Sequence, residues 1–591
     1  MVLCFDIESS STTGKINVED AIFKTIAFYE YETNKYSFYT YKDIEEIKKV
    51  FKKHRIIISY YGNKYDIPIL NKNGINTKNN THIDLYEVMK KRGVYLGIKN
   101  ISLSLQSVAK HLKLTTHKDE NFDYNILNKN EWTEEEINHI KNYNIQDVKV
   151  TKELYDKTNT FFLPFKEYVS ENDKHNMSWL TSSIPTLSYK IICHQAGLIE
   201  EYVRNPPIES YEGGFVAEPS TNEAHGNILA FDFSSLYPNI FIQCNLFSNQ
   251  CNCCENKEKW NGDGFFNVKG RYCTRNQGVI EKTVNKLFLQ RLEYKKVNDP
   301  REYAIKIIIN SLYGIVGFPV FKNIHDYTTA SDCTSIARDC VKFAAKIFED
   351  FGFKVLYMDT DSNYIQVPDG KTSDDAVTVA NYITKKLQEH MVFPSKEFVF
   401  KVDEEIKHMF FFKNGGSYVK KLYVYVTKND ELVVKGLPFI KSDSSGIGGL
   451  VFEQFMKQTI ITTGRIEFDY YDILKWAYDL LEQDKTIALR TFKVGPVKNY
   501  KLDTQLQAQI SKKYGPGRHQ LIPNNKIGVG EGTKLCTMKE FNEAGLTIED
   551  IDLSKFWKEM RYFCEIPAKE RTQRAKKQLT QKLTLLKWFG I

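Results

Sequence analysis

Residues 357–362 read YMDTDS, and the placing of Asp359 and Asp361 in that stretch decides the fold. An apolar run, VLYM, leads into the pair and NYIQV leads out, so two strands meet at the aspartates. Residues two apart on extended chain point the same way, so both carboxylates are expected to face one site. Upstream, ILAFDF places Asp232 at the end of another strand-like run. Hard Mg²⁺ takes carboxylate oxygens, with Mn²⁺ as an alternative. Two such ions about 3.5–4 Å apart can serve the attacking and leaving oxygens of a phosphoryl displacement. Asp232 and Asp361 are expected to bridge the ions, with Asp359 as a weaker third ligand.

Between the acidic stretches lie two helical patterns separated by Asn298, Asp299 and Pro300. In REYAIKIIINSLYG, Lys306, Asn310 and Tyr313 fall at i, i+4 and i+7 and share a face, while isoleucines fill the other sides. In VIEKTVNKLFLQRLEYKK, Arg291 and Lys295 are four apart and align. Taken alone, each is an amphipathic helix with a solvated face. Beside the carboxylates, two cation-bearing helices joined by a short turn read as a clamp for a triphosphate.

DFSSLYP (232–238), KIIINSLYG (306–314) and YMDTDS, in that order, resemble motifs A, B and C of the family B (alpha-like) DNA polymerases. The resemblance implies template-directed nucleotidyl transfer from dNTPs to a primer 3′-hydroxyl, with Asp232, Asp359 and Asp361 catalytic. It implies that Arg291, Lys295 and Lys306 bind phosphate from the fingers, with Asn310 and Tyr313 at the nucleotide, and that Tyr237 excludes a 2′-hydroxyl. YEGG (211–214) resembles the Y-x-G-G motif between exonuclease and polymerase domains, which gives Tyr211, Gly213 and Gly214 a DNA-binding role. KKLYVYV (420–426) resembles the K-x-Y motif. Lys421 and Tyr423 are expected on one strand face, reaching the minor-groove acceptors that every base pair presents.

A second acidic set opens the chain. Asp6 and Glu8 in LCFDIESS are again two apart on a strand, RIIISYYGNKYDIPIL runs from an apolar strand into Asp66, and a helical pattern puts Tyr143 and Asp147 at i, i+4. These residues in this order resemble the DEDDy 3′–5′ exonucleases, whose fold is RNase H-like. The resemblance implies that Asp6, Glu8, Asp66 and Asp147 hold two ions and that Tyr143 orients the attacking water. THIDLYE (81–87) resembles a segment with an aspartate that follows the second motif in many members. Gly62 and Tyr61 stand where the family places an asparagine, and Asn63 lies three residues before Asp66.

At 591 residues the chain exceeds one hydrophobic core, and a net charge of +7 is compatible with nucleic acid without diagnosing it. The expected class is α+β and multidomain: exonuclease 1–155, connecting segment 156–210, palm 211–275 and 319–443, fingers 276–318, thumb and tail 444–591. Asp6 and Glu8 interrupt any leader-like apolar run and no stretch is long and apolar enough to span a membrane, so a soluble, intracellular monomer is expected. A motif starting at residue 6 points to a compact, phage-like replicase in the host cytoplasm. Lys306 lies 74 residues after Asp232 and Asp359 lies 53 after Lys306, too short for the insertions that compact protein-primed members of the resembled family carry in these two intervals, so the resemblance implies a nucleic-acid primer. LTLLKWFGI at the end gives Leu585, Trp588 and Phe589 the L-x-x-W-F form of a sliding-clamp tail, with an apolar segment packed on the thumb as the alternative.

Cys251, Cys253, Cys254 and Cys273 bracket a polar loop and are four ligands for a zinc ion. Their irregular spacing, with two adjacent, favours ordinary reduced cysteines. GVGEGTK (528–534) has no strand before it and reads as a loop. The competing functions are a repair or primer-independent polymerase of the same fold and a DNA-binding scaffold without catalysis. The retained carboxylates speak against the scaffold.

Overall fold

The computed structural model describes residues 1–11, 18–98, 103–119, 122–129, 131–249, 251–414, 416–440, 446–497, 500, 502, 505–529 and 534–565. The clamp-like tail lies outside these residues, as does part of 528–534. The chain forms two compact units: 1–213 with 235–336 and 390–394, and 214–234 with 337–389 and 395–591. It first passes between them inside YEGG, at Gly213 and Gly214. No described helix is long and apolar enough to cross a membrane.

The first unit opens with a five-stranded sheet in the order β3-β2-β1-β4-β5: β1 (Val2–Ser11), β2 (Ala21–Glu30), β3 (Lys35–Thr40), β4 (Ile56–Ser59) and β5 (Thr81–Asp84). β1, β2 and β3 pair antiparallel, while β4 and β5 join in parallel. Alternation explains β1. Leu3, Phe5 and Ile7 enter an apolar cluster with Ile26, Phe28 and Phe51, which leaves Cys4, Asp6 and Glu8 on the opposite face. The Glu134–Phe162 helix packs against β1 and β2. A Thr133/Glu136 capping box satisfies the first amides of that helix, and its buried stripe includes Tyr143 and Asp147. Further along this unit, the Val279–Lys296 and Arg301–Val316 helices form the expected hairpin.

The second unit is built on a six-stranded antiparallel sheet, β11-β10-β9-β6-β8-β7. Its strands are β6 (Glu223–Phe233), β7 (Lys354–Asp359), β8 (Ser362–Gln366), β9 (Phe400–Asn414), β10 (Ser417–Thr427) and β11 (Leu432–Lys435). Register sets the chemistry: Asp232 on β6 pairs with Ser362 on β8, and Asp359 pairs with Ser362 across the β7–β8 turn. Leu422, Val424 and Val426 point into a core shared with the helices after residue 446, while Tyr423 and Tyr425 join Tyr357 and Tyr364 in another cluster. Helices predominate after residue 446, but a small sheet of β12 (Arg490–Val494), β13 (Gly517–Pro523) and β14 (Leu535–Cys536) also lies there. β14 is too short for a two-residue period to stand out, and GRHQLIP in β13 gathers its apolar residues at one end instead of alternating.

Candidate active sites

In the second unit the two aspartates of YMDTDS do not lie on one extended strand. Asp359 ends β7, Thr360 takes φ +59°, and the Asp361 amide donates to the Asp359 carbonyl at 2.6 Å. A β-branched residue at positive φ in a three-residue turn is strained, a feature that clusters at functional sites. The turn, not strand alternation, brings the carboxylates together. Asp232 arrives from β6. The Ser362 hydroxyl lies 3.0 Å from Asp232 Oδ1 and 3.4 Å from Asp361 Oδ1. Its single proton serves one carboxylate at a time, so the pair keeps unmatched negative charge. Burial and the neighbouring Asp361 push Asp232 up to about 7, and burial with the Asp359 charge raises Asp361.

Asp359 is held differently. Lys421 Nζ is 2.5 Å from its Oδ1, and the Tyr423 hydroxyl donates to its Oδ2 at 3.3 Å. Tyr423, expected at a groove, is 3% exposed and its hydroxyl also meets that of Tyr364 at 3.0 Å. Lys421 takes φ +61° where the β9–β10 register shifts, which frees its side chain from the strand's alternation. The K-x-Y residues are therefore turned toward a carboxylate. Ser362 and this second role of Lys421 escaped sequence reasoning, because both depend on register between strands distant in sequence.

The first unit holds the residues expected at the nucleotide. Lys306 and Asn310 are exposed and Tyr313 is half-buried, while Ile305, Ile307, Ile308 and Ile309 are buried. Arg291 is engaged by Glu302 at 2.8 Å and by the Ser235 hydroxyl at 3.2 Å, while Lys295 is exposed. Ser235 caps the Leu236–Gln243 helix at φ +51°. Tyr237 stacks on Tyr313 with ring centroids 4.8 Å apart and planes 11° apart, and Tyr211 meets Tyr313 edge-on at 6.5 Å. Asn310 also lines a cavity of about 420 Å³ with Pro185, Tyr202 and Phe321.

The acidic set at the start of the chain gathers around a cavity of about 600 Å³. Single carboxylate oxygens of Asp6, Glu8 and Asp147 all lie within 4.8 Å of one another. Asp66 begins the Asp66–Lys72 helix, and its Oδ1 accepts from the Ile7 amide at 3.3 Å. Asn144, one residue from Tyr143, donates to Asp6 Oδ2 at 3.1 Å and fixes that carboxylate. Burial and the Asp147 charge push Glu8 up to about 8, burial takes Asp66 to about 7, and burial with the Asp147 charge raises Asp6. Lys118 answers part of this charge, with its Nζ 2.5 Å from Asp147 Oδ2. It was not foreseen, since a lone lysine in THKDEN carries no signal. Tyr143 stacks on Phe122 at 3.8 Å, and its hydroxyl meets that of Tyr124 at 2.5 Å. Asn63 is bound to His82 at 2.9 Å, while Tyr60 and Tyr61 line the cavity. Asp84 of THIDLYE accepts from the amides of Tyr61, Asn63 and Tyr86 and thereby shapes the loop before Asp66.

Also in the first unit, the sulfurs of Cys251, Cys253, Cys254 and Cys273 all lie within 4.8 Å of one another. Their irregular spacing, read as an argument against a common site, is overcome by the fold of the loop between them.

Comparison with known proteins gives a consistent picture. The family model described as DNA polymerase family B matches residues 149–521, and that of the RNase_H superfamily matches residues 3–159. A DNA polymerase of Archaeoglobus fulgidus is 29% identical over 331 residues, covering 53% of this chain and 38% of that protein. One of Thermococcus gorgonarius is 26% identical over 535 residues, covering 85% and 64%. The chain spans about half the length of the curated relatives it matches. The solved family B DNA polymerase of Pyrobaculum calidifontis shares the fold, with a TM-score of 0.58 at 16% identity, over 95% of this chain and 77% of that one.

Proposed function

The chain belongs to DNA polymerase family B, and from that premise we propose that it extends a primer 3′-hydroxyl along a DNA template and excises mispaired 3′ ends at a separate site. The observation that carries the synthetic half is the one hydroxyl, Ser362 Oγ, within reach of both Asp232 and Asp361. Two carboxylates around one proton suit a divalent cation, and Mg²⁺ fits an all-oxygen donor set. Asp232 and Asp361 would hold it, while Asp359, already paired with Lys421, anchors the turn. Bound ions would supply the charge that activates the attacking oxygen and stabilises the leaving one. Arg291, Lys295 and Lys306 would meet the triphosphate of the incoming dNTP, Lys306 as a point charge. The Tyr237 ring, braced flat on Tyr313, would sit below the sugar and exclude ribonucleotides. The short intervals between Asp232, Lys306 and Asp359 support extension of a nucleic-acid primer.

For excision, Asp6, Glu8, Asp66 and Asp147 would hold the ions, with Lys118 as a resident cation and Tyr143 positioned over the cavity. A labelled primer–template tests both halves. Asp361→Ala is expected to lower synthesis roughly a thousandfold, the scale of a lost transition-state contact, and to leave 3′ degradation intact. Asp6→Ala is expected to do the reverse. Loss of both activities in either folded variant overturns the two-site reading.

A further inference from the structure

The loop between residues 251 and 273 has more order than its polar composition explains. Trp260 and Tyr272 exchange backbone hydrogen bonds at 2.9 Å and close it as a hairpin. Asp332, 1% exposed, accepts from the Lys269 and Gly270 amides and from the Tyr272 hydroxyl at 2.6 Å. At the open end, the Cys273 amide donates to Ser248 Oγ at 2.8 Å, and Asn245 Nδ2 donates to the carbonyls of Cys273 and Asn276. The four cysteines converge at that end.

The sulfur geometry distinguishes the occupants. Cys253 Sγ is 2.8 Å from Cys251 Sγ and 3.2 Å from Cys273 Sγ, with all four sulfurs inside 4.8 Å. A disulfide needs about 2.05 Å. Four thiolates on one tetrahedral ion with metal–sulfur bonds of about 2.3 Å lie roughly 3.8 Å apart, within the range seen. A [4Fe–4S] cluster seats each thiolate on a different iron and a [2Fe–2S] cluster seats them in pairs on two irons, and both spread the four sulfurs further than one ion does. The sulfurs are also supplied with donors. The Asn276 amide reaches Cys273 Sγ at 3.3 Å, the Cys253 amide reaches Cys251 Sγ at 3.3 Å, and Asn276 Nδ2 reaches Cys253 Sγ at 3.5 Å. Donors to sulfur are the outer contacts that orient thiolate ligands and offset their charge.

We propose that Cys251, Cys253, Cys254 and Cys273 hold one Zn²⁺ as a structural tetrathiolate that fixes the start of the Val279–Lys296 helix. The four thiols give up their protons as the ion enters, leaving the site with two net negative charges. Arg275, which holds the Cys253 carbonyl and the Glu258 carboxylate, lies beside it as a counter-charge. The link to the helix is short. Asn276, which contacts two of the cysteines, lies two residues before Gly278, whose amide donates to Asn245 Oδ1 at 3.0 Å. In the next turn, Glu281 accepts from the Phe247 amide at 2.6 Å. The ion clasps the segment from which Arg291 and Lys295 are carried.

The test is metal content of the full chain after purification without chelator. About one zinc per chain is expected, falling below about a fifth of that in Cys253→Ser/Cys273→Ser. Cys244→Ser and Cys333→Ser, at buried cysteines outside the group, are expected to keep it. Cobalt reconstitution of the wild type should give the d–d and thiolate charge-transfer bands of a tetrahedral sulfur site. Should the double variant not fold, titration of the wild type with a mercurial replaces it, with release of one zinc equivalent as the expected result. Metal-free protein with four free thiols here, a disulfide among them, or bound iron with visible cluster absorbance each overturns the proposal. None of these readouts depends on polymerase activity.

Discussion

Asp6, Glu8, Asp66 and Asp147 surround a cavity beside Lys118, whereas Asp232, Asp359 and Asp361 surround a hairpin turn beside Lys421. In both places a lysine nitrogen sits 2.5 Å from one carboxylate, and the other carboxylates face one another. Solvent distinguishes them. Glu8, Asp66 and Asp147 are 8%, 4% and 1% exposed and Asp6 is half-buried, while all three aspartates at the turn are half-buried. The Lys118 side chain is 29% exposed and that of Lys421 56%. The same charges cost more in the cavity, because burial penalises each ionised group and strengthens the repulsion between neighbours. The cavity should therefore hold protons where the turn has begun to lose them, and its lysine should matter more to folding.

Replacing each lysine by methionine breaks or sharpens that contrast. Lys118→Met removes the partner of a nearly buried carboxylate, and without metal it is expected to cost about 3 kcal/mol at mildly alkaline pH. Denaturant melts of the 1–213 region, followed by hydrogen exchange, measure it. Added Mg²⁺ or Mn²⁺, or a drop to acidic pH, should restore most of the loss, since either answers the same charge.

The pH dependence comes next in size, and its sign is fixed. Glu8 near 8 and Asp66 near 7 lie above their unfolded values, so the folded state prefers them protonated. The stability they contribute is full below the unfolded carboxylate range and lost as pH rises through about 7 to 8. In chelator the region should melt lower at pH 8.5 than at pH 6, roughly the ends of that window. Divalent ions compete with those protons. Their affinity for the cavity, measured by calorimetry in Asp361→Ala, should rise about tenfold per pH unit for each proton displaced. A flat profile would show that burial does not govern this cluster.

The parts of each site that lie within one element were legible in the sequence. Asp6 and Glu8 sit two apart on β1, Tyr143 and Asp147 one turn apart on a helix, and Lys306, Asn310 and Tyr313 share the outer face of Arg301–Val316. The parts that depend on pairing between elements were not. Ser362 matters because β8 lies beside β6 in one register, and Lys118 because its segment folds back over Asp147. Backbone exceptions escaped for a related reason: Thr360 and Lys421 take positive φ, which neither composition nor periodicity signals for a threonine or a lysine. The cysteine loop adds a further case, since spacing along the chain suggested dispersal and the hairpin through Trp260 and Tyr272 brings the sulfurs together.

Two smaller effects probe the turn itself. Ser362→Ala removes the hydroxyl that lowers Asp232, so Asp232 should titrate higher still. Synthesis is expected to fall about tenfold near neutrality, the worth of one hydrogen bond to a charged group, and to recover as pH rises. A loss independent of pH would mean that Ser362 acts through packing. Lys421→Met should be the mildest change for stability, about 0.5 kcal/mol, because the lysine is mostly in water and screened. Its value lies in the pairing with Lys118→Met. Salt-bridge distance is the same at the two lysines, so distance cannot account for a sixfold gap in cost, whereas exposure can. If the two substitutions cost the same, burial is not what separates the clusters, and the proton-holding assigned to the cavity loses its physical basis.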